Sequence, residues 1–224
     1  MRWWVSGAVV LALLVGGAGG YAVATRDEPA EPGRTTFADP VPVAADHPRL
    51  PVQLYEPDPD DDPLEPDIPL EQVRLTALNA KGQPSRYSVS VPIPKEWDDS
   101  FDGASRWTFT KAGNASMSYG MRLDIIAGEE ETMDRAISIR QAELRSADAQ
   151  GNLRDVEFSA QDDSGFTVTF VEDGYRRVSM ELFIPDADGN AFAAIAVYGR
   201  ERDLSGIEDL VSLVDANITT IQRP

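Results

Sequence analysis

The chain has no cysteine and one histidine among its 224 residues. Without cysteine there is no disulfide scaffold, thiolate metal site, cysteine nucleophile or lipid-bearing cysteine at a mature amino terminus. The lone His47 lies in a proline-rich stretch. A serine–histidine pair needs a base held rigidly beside its nucleophile, and a zinc site needs several nitrogen or sulfur ligands, so His47 is read as neither. Basic residues are also scarce, 20 against 38 acidic ones, for a formal charge of −18. That balance argues against nucleic acid or an anionic lipid surface as the main partner, because both need clustered Lys and Arg. No glycine-rich phosphate loop occurs. The length allows one sizeable core with something left over.

The composition divides the chain into three. Trp3 to Ala24 is 22 residues without a charge. As a helix it would span ~33 Å, enough for a ~30 Å hydrocarbon core. Arg2 precedes it, so the positive-inside rule keeps the amino terminus cytoplasmic and sends the remainder outside. The expectation is a single-pass membrane anchor through residues 3–24. The alternative is a signal peptide cut after Ala22-Val23-Ala24, which would release a secreted protein. Residues 25–69 hold 11 of the 16 prolines and 12 acidic residues. Lost backbone donors and self-repulsion imply a disordered, solvated linker there, reaching ~140 Å at most. Its one apolar island is Leu50-Pro-Val-Gln-Leu-Tyr55.

Residues 70–224 carry only five prolines and regular apolar periodicity, the size of one extracytoplasmic domain. Tyr87, Val89 and Val91 alternate with polar neighbours, which predicts a half-buried strand. Gln72–Leu78, Trp107–Thr110 and Ser116–Ile126 predict further strands, with a polar loop over residues 98–106. Glu129 to Arg145 reads as a helix whose face is Met133, Ala136, Ile137, Arg140 and Leu144. Four strands follow at hairpin spacing: Leu153–Ser159, Phe166–Val171, Tyr175–Ile184 and Ala191–Tyr198. The turns Asp162–Gly165, Glu172–Gly174 and Asp186–Asn190 force antiparallel neighbours. A last helix, Ser205 to Ile221, carries the stripe Ile207, Leu210, Val211, Val214, Ile218 and Ile221, with capping-box spacing at Ser205 and Glu208. The fold class expected is α+β, one antiparallel sheet of six or seven strands covered by two helices.

The run Tyr87-Ser-Val-Ser-Val-Pro92, closely followed by Trp97, resembles the opening of the PsbP-like superfamily, a hydrophobic strand, a proline and a tryptophan. Ala191-Phe-Ala-Ala-Ile-Ala-Val-Tyr198 before the last helix resembles its close. Over residues 75–221 the chain is similar to that superfamily, and within it to the actinobacterial LpqN-type envelope proteins. The resemblance implies an α/β/α sandwich and a non-catalytic docking or accessory role, and it transfers no site residue. Two departures stand out: Glu96 occupies the place of the usual glycine before the tryptophan, and the lipoprotein cysteine is missing.

Other motifs have simpler readings. Asp186-Ala-Asp-Gly-Asn190 lacks the length and closing glutamate of a calcium loop and is read as a hairpin turn. Asp58-Pro-Asp-Asp-Asp62 is read as a solvated charge run. Asp162 with Asp163, and Glu172 with Asp173, lie in turns and do not define a catalytic carboxylate pair. Arg176, Arg177, Arg200 and Arg202 could form a basic patch on one sheet edge. The sequons at Asn114 and Asn217 are read as chance. The aromatic residues fall mostly at strand positions and are assigned to the core. No catalytic, cofactor-binding or metal residue is expected. The function expected is a membrane-tethered binding or accessory module of the cell envelope with an envelope protein partner, not an enzyme. The alternative is a small-molecule or lipid carrier whose cavity, lined by Met117, Met121, Ile137 and Leu144, lies between helix and sheet; hydrolysis is the remote one.

Overall fold

The structure, a computed structural model, describes residues 58, 60–113, 118–128 and 131–222. The expected membrane span, most of the linker, His47, Asn114 and Met117 lie outside these. Among the described residues no helix is long and apolar enough to cross a membrane.

In chain order the elements are β1 Leu70–Leu78, β2 Pro84–Pro94, β3 Trp97–Phe101, β4 Arg106–Lys111, β5 Gly120–Ile125, α1 Met133–Ala149, β6 Arg154–Gln161, β7 Gly165–Glu172, β8 Tyr175–Pro185, β9 Ala191–Gly199, α2 Leu204–Asn217 and β10 Thr219–Gln222. Every strand pairing is antiparallel. The expected meander is present as β6 to β9, in adjacent positions of a seven-stranded sheet ordered β3-β4-β5-β9-β8-β7-β6.

The single sheet of the sequence reading is corrected to two, because β1, β2 and β10 form a separate three-stranded sheet. The polar loop expected over residues 98–106 is confined to 102–105, since Trp97–Phe101 is an edge strand on β4. Its charges, Asp98 and Asp99, are exposed, which an edge tolerates and which discourages further pairing. The last helix stops at Asn217, four residues short of Ile221. Ile218, Thr219, Thr220 and Ile221 are all β-branched, stiff at χ1 and suited to a pleated surface, and residues 219–222 add to the free edge of β2.

The seven-stranded sheet buries both faces, and strand alternation separates two cores. Met121, Leu123, Ile125, Leu182, Ile195 and Val197 point toward β1, β2 and the α2 stripe of Ile207, Leu210 and Val214. On the other face, Phe166, Val168, Phe183 and Ala194 meet Ala136, Ile137 and Leu144 of α1. The layers are therefore α2 with the small sheet, then the large sheet, then α1. Helix α1 starts at Met133, with the Thr132 hydroxyl accepting from the Arg135 N–H at 3.3 Å. It ends before Gly151, whose φ of +76° suits glycine.

The end of the expected solvated linker is packed against the domain. Arg200 and Asp203 are fully buried and paired, with Nε 2.7 Å from Oδ2. Arg200 also donates to the carbonyl oxygens of Asp61 at 3.1 Å and Asp62 at 3.0 Å. Asp203 accepts from the Leu64 N–H at 2.9 Å, and Leu64 is buried in the core. Gly206 lets this strap come close: a Cβ there would lie 2.2 Å from the Leu64 oxygen. With its carboxylate so engaged, Asp203 caps α2 without a side-chain bond to the helix, and the Ser205–Glu208 capping box does not mark the start.

Candidate binding groove

Helix α1 lies over β6 and β8 and leaves the same face of β4 and β5 uncovered. On that uncovered side the alternation places polar residues. Arg122 and Asp124 on β5 interleave with Met121, Leu123 and Ile125, which point to the opposite core. Register brings them together: Arg106 stands opposite Asp124, and Thr108 opposite Arg122. On β9, Ala196 stands between Arg122 of β5 and Glu181 of β8. The alanine methyl is short enough for the two longer side chains to meet above it.

The result is an alternating ladder of charge across three strands and a helix. Arg106 Nε lies 2.5 Å from Asp124 Oδ1, and Arg122 Nε lies 3.1 Å from Asp124 Oδ2. Arg122 Nη2 lies 3.4 Å from Glu181 Oε2, and Arg140 Nη2 lies 3.0 Å from Glu181 Oε1. Arg140 Nη1 then reaches Glu143 at 3.3 Å. The Ser179 hydroxyl is 3.4 Å from Glu181 Oε1. The Glu181 side chain is 2 % exposed. Such a charge is tolerable only with partners on both sides, which Arg122 and Arg140 supply. Burial works against the Arg140 charge, but the adjoining Glu181 outweighs it and raises the guanidinium pKa.

Two adjoining cavities run along this ladder. One of about 250 Å³ is bounded by Arg106, Arg122, Asp124, Arg140, Ile139 and Phe183, among others. A larger one of about 520 Å³ extends past Thr108, Leu144, Phe170 and Glu181 to Tyr198. They share Arg122, Arg140 and Glu143 and form one groove between α1 and the sheet. Burial raises the pKa of the Tyr198 phenol at the far end. Gly120 is required beneath it, because a Cβ there would lie 2.7 Å from the phenol oxygen.

The residues singled out from sequence fall elsewhere. Asp186 Oδ1 accepts from the N–H groups of Asp188 and Asn190 at 2.9 Å, closing a hairpin turn. Asp162 similarly accepts from Ser164 and Gly165, and the Ser164 hydroxyl bond leads in lowering its pKa. The basic patch is not assembled: Arg200 is buried on Asp203, Arg177 donates to the Ser118 carbonyl, Arg176 pairs with Glu201, and Arg202 donates to the Asp61 carbonyl. The charge run is not simply solvated either, since Asp61 also accepts from the Ser118 hydroxyl. Asn217 donates to the Leu213 carbonyl at the end of α2. The apolar cavity is corrected as well: Met121 belongs to the core opposite Ile137 and Leu144, so they line no common space. Among the described residues no group of three or more His, Asp or Glu is placed to hold a metal.

The ladder escaped the sequence reading because charged residues alternating with apolar ones on a strand look solvent-facing. One signal was present. Arg140 stands on the otherwise apolar face of α1, where a cation needs a buried partner.

No protein-family model and no curated protein sequence matches the chain. Solved structures that resemble it include the following two. The Ran-binding protein Mog1p of Saccharomyces cerevisiae aligns at 8 % identity with a TM-score of 0.43, covering 67 % of this chain and 96 % of that one. LpqN of Mycobacterium tuberculosis, described as involved in cell envelope biogenesis, aligns at 13 % identity with a TM-score of 0.43, covering 67 % and 92 %.

Proposed function

We propose that the chain is a membrane-tethered extracytoplasmic binding or accessory module of the cell envelope, non-catalytic, whose recognition surface is the groove between α1 and strands β4 and β5. The uncharged run at residues 3–24 and the acidic linker support the tether, and a linked domain gains reach and effective concentration. The observation that carries the reading is the ordered ladder Arg106–Asp124–Arg122–Glu181–Arg140 along an open groove. Each of its two carboxylates is engaged by two arginines, an arrangement that holds positions rather than moving protons. Fixed, alternating charge in a partly dry groove favours specificity for a complementary surface.

The test is photo-crosslinking in intact envelopes, using the full chain with a photoreactive residue at Thr108 or Ile139. Crosslinks to a defined envelope protein are expected from these positions and not from Glu157 on the outer strand β6. Equal or absent labelling at both places would end the proposal. Protease accessibility of the domain in spheroplasts tests the orientation separately, with digestion from outside as the expected result.

A further inference from the structure

We infer that the smaller cavity, at the Arg106 end of the groove, binds a monocarboxylate carrying a compact apolar group. The inference rests on reading the groove as the recognition surface. Arg106 uses its Nε on Asp124, and neither of its Nη atoms has a partner among the described residues. Arg122 uses Nη2 on Glu181 and lays Nε beside Asp124, which leaves Nη1 unengaged there. Both guanidinium groups border the cavity. A planar guanidinium presents paired donors that match the two oxygens of a carboxylate.

The rest of the wall selects the ligand further. Ile126, Ala136, Ile139, Phe183 and Ala194 provide an apolar side. The volume of about 250 Å³ exceeds the ~150 Å³ of an apolar cavity that admits benzene. Asp124, Glu131 and Glu143 also border the space, and each is already paired, Glu131 with Arg135 and Glu143 with Arg140. The three carboxylates offset Arg106, Arg122 and Arg140, so the wall carries no net positive charge and opposes a second negative charge on a ligand more strongly than a first. A phosphate monoester or dicarboxylate is therefore disfavoured. The same chemistry occurs in a free aromatic or branched acid and in the carboxyl terminus of a peptide ending in an apolar residue.

Calorimetry on the full chain in an uncharged detergent, with benzoate, benzamide, and a dipeptide ending in phenylalanine with a free or amidated terminus, tests this. Benzoate is expected to bind about tenfold or more tightly than benzamide, and Arg106→Gln to lose that difference. Arg106→Lys, which keeps the charge but not the fork, should retain only part of it. Binding of the free-acid dipeptide but not its amide would assign the site to peptide termini; binding of benzoate alone would assign it to small acids. Equal binding of acid and amide, an unaffected Arg106→Gln variant, or no carboxylate binding at about 10 mM would each overturn the inference. In those cases the groove reading would still stand if Thr108 crosslinks persisted, and would fall with it only if they did not.

Discussion

Arg200 and Asp203, three positions apart at the start of α2, form an ion pair from which water is excluded on both sides, and that pair holds a segment about 140 residues earlier in the chain. Asp203 Oδ2 accepts from Nε and from the backbone N–H of Arg200, both at 2.7 Å, and Oδ1 accepts from Nη2 at 2.8 Å. Burial alone would raise the Asp203 pKa, but the Arg200 and Leu64 bonds outweigh it and lower the value below the ordinary carboxyl range.

A carboxyl whose pKa is depressed by folding adds stability above its unfolded value, about 3.9, and loses that contribution as the pH falls through the lower folded value. Urea titrations of the full chain should therefore show a drop in stability below about pH 4. Asp203→Asn should cost about 3–5 kcal/mol at neutral pH by leaving Arg200 buried without its counter-charge. The variant should also show a shallower loss across that acid window, and an equally steep one would contradict the role given to Asp203.

The strap itself can be tested through Leu64 and Gly206. Leu64→Ala should cost about 2–3 kcal/mol and lower the Tm by about 4–12 °C. Gly206→Ala should have a similar effect, because the new methyl would meet the Leu64 backbone and push the strap away. Both act on one contact, so the double variant should cost clearly less than the sum. Additive losses by calorimetry would show that Gly206 matters for some other reason.

In the groove, Glu181→Ala should destabilise by about 3–5 kcal/mol, since it strands Arg122 and Arg140 over the sheet. Glu181→Gln keeps the shape and some acceptors and should cost less. Chemical denaturation at neutral pH separates the two. Equal costs would mean that shape, rather than charge, holds the ladder.

Glu96 offers a test with the opposite sign. Its φ is +68°, in the left-handed region where side chains are strained and glycine is not. Glu96→Gly should leave stability unchanged or raise it by up to about 1 kcal/mol, whereas Glu96→Val should lower it by about 1 kcal/mol or more. A clear loss with glycine would show that the Glu96 side chain makes a contact worth more than the strain.

Much of the fold was legible in local patterns. Alternation marked β2 and the strands from β6 to β9, and the Asp- and Gly-rich turns made those last four antiparallel neighbours. The three- and four-residue steps of Ile207, Leu210 and Val214 marked α2. Local patterns misled at Asp98–Phe101, where exposed acids on an edge strand look like a loop, and at Ile218–Ile221, where apolar β-branched residues continue a helical stripe into a strand. Nothing local reveals that Leu64 has a pocket beside Gly206, because the two lie far apart in the chain.

Period and turn chemistry are short-range properties, so the amino-acid order alone determined most of the strands, the two helices apart from where the last one stops, and the meander of the last four long strands. Tertiary structure decided that the strands form two sheets, that Asp61 to Leu64 join the domain, and that Arg106, Asp124, Arg122, Glu181 and Arg140 line up in one groove. Those outcomes depend on register between strands and on which faces come together. A side chain that alternates toward the surface of its own strand becomes a buried ion-pair partner only when a helix is laid across it.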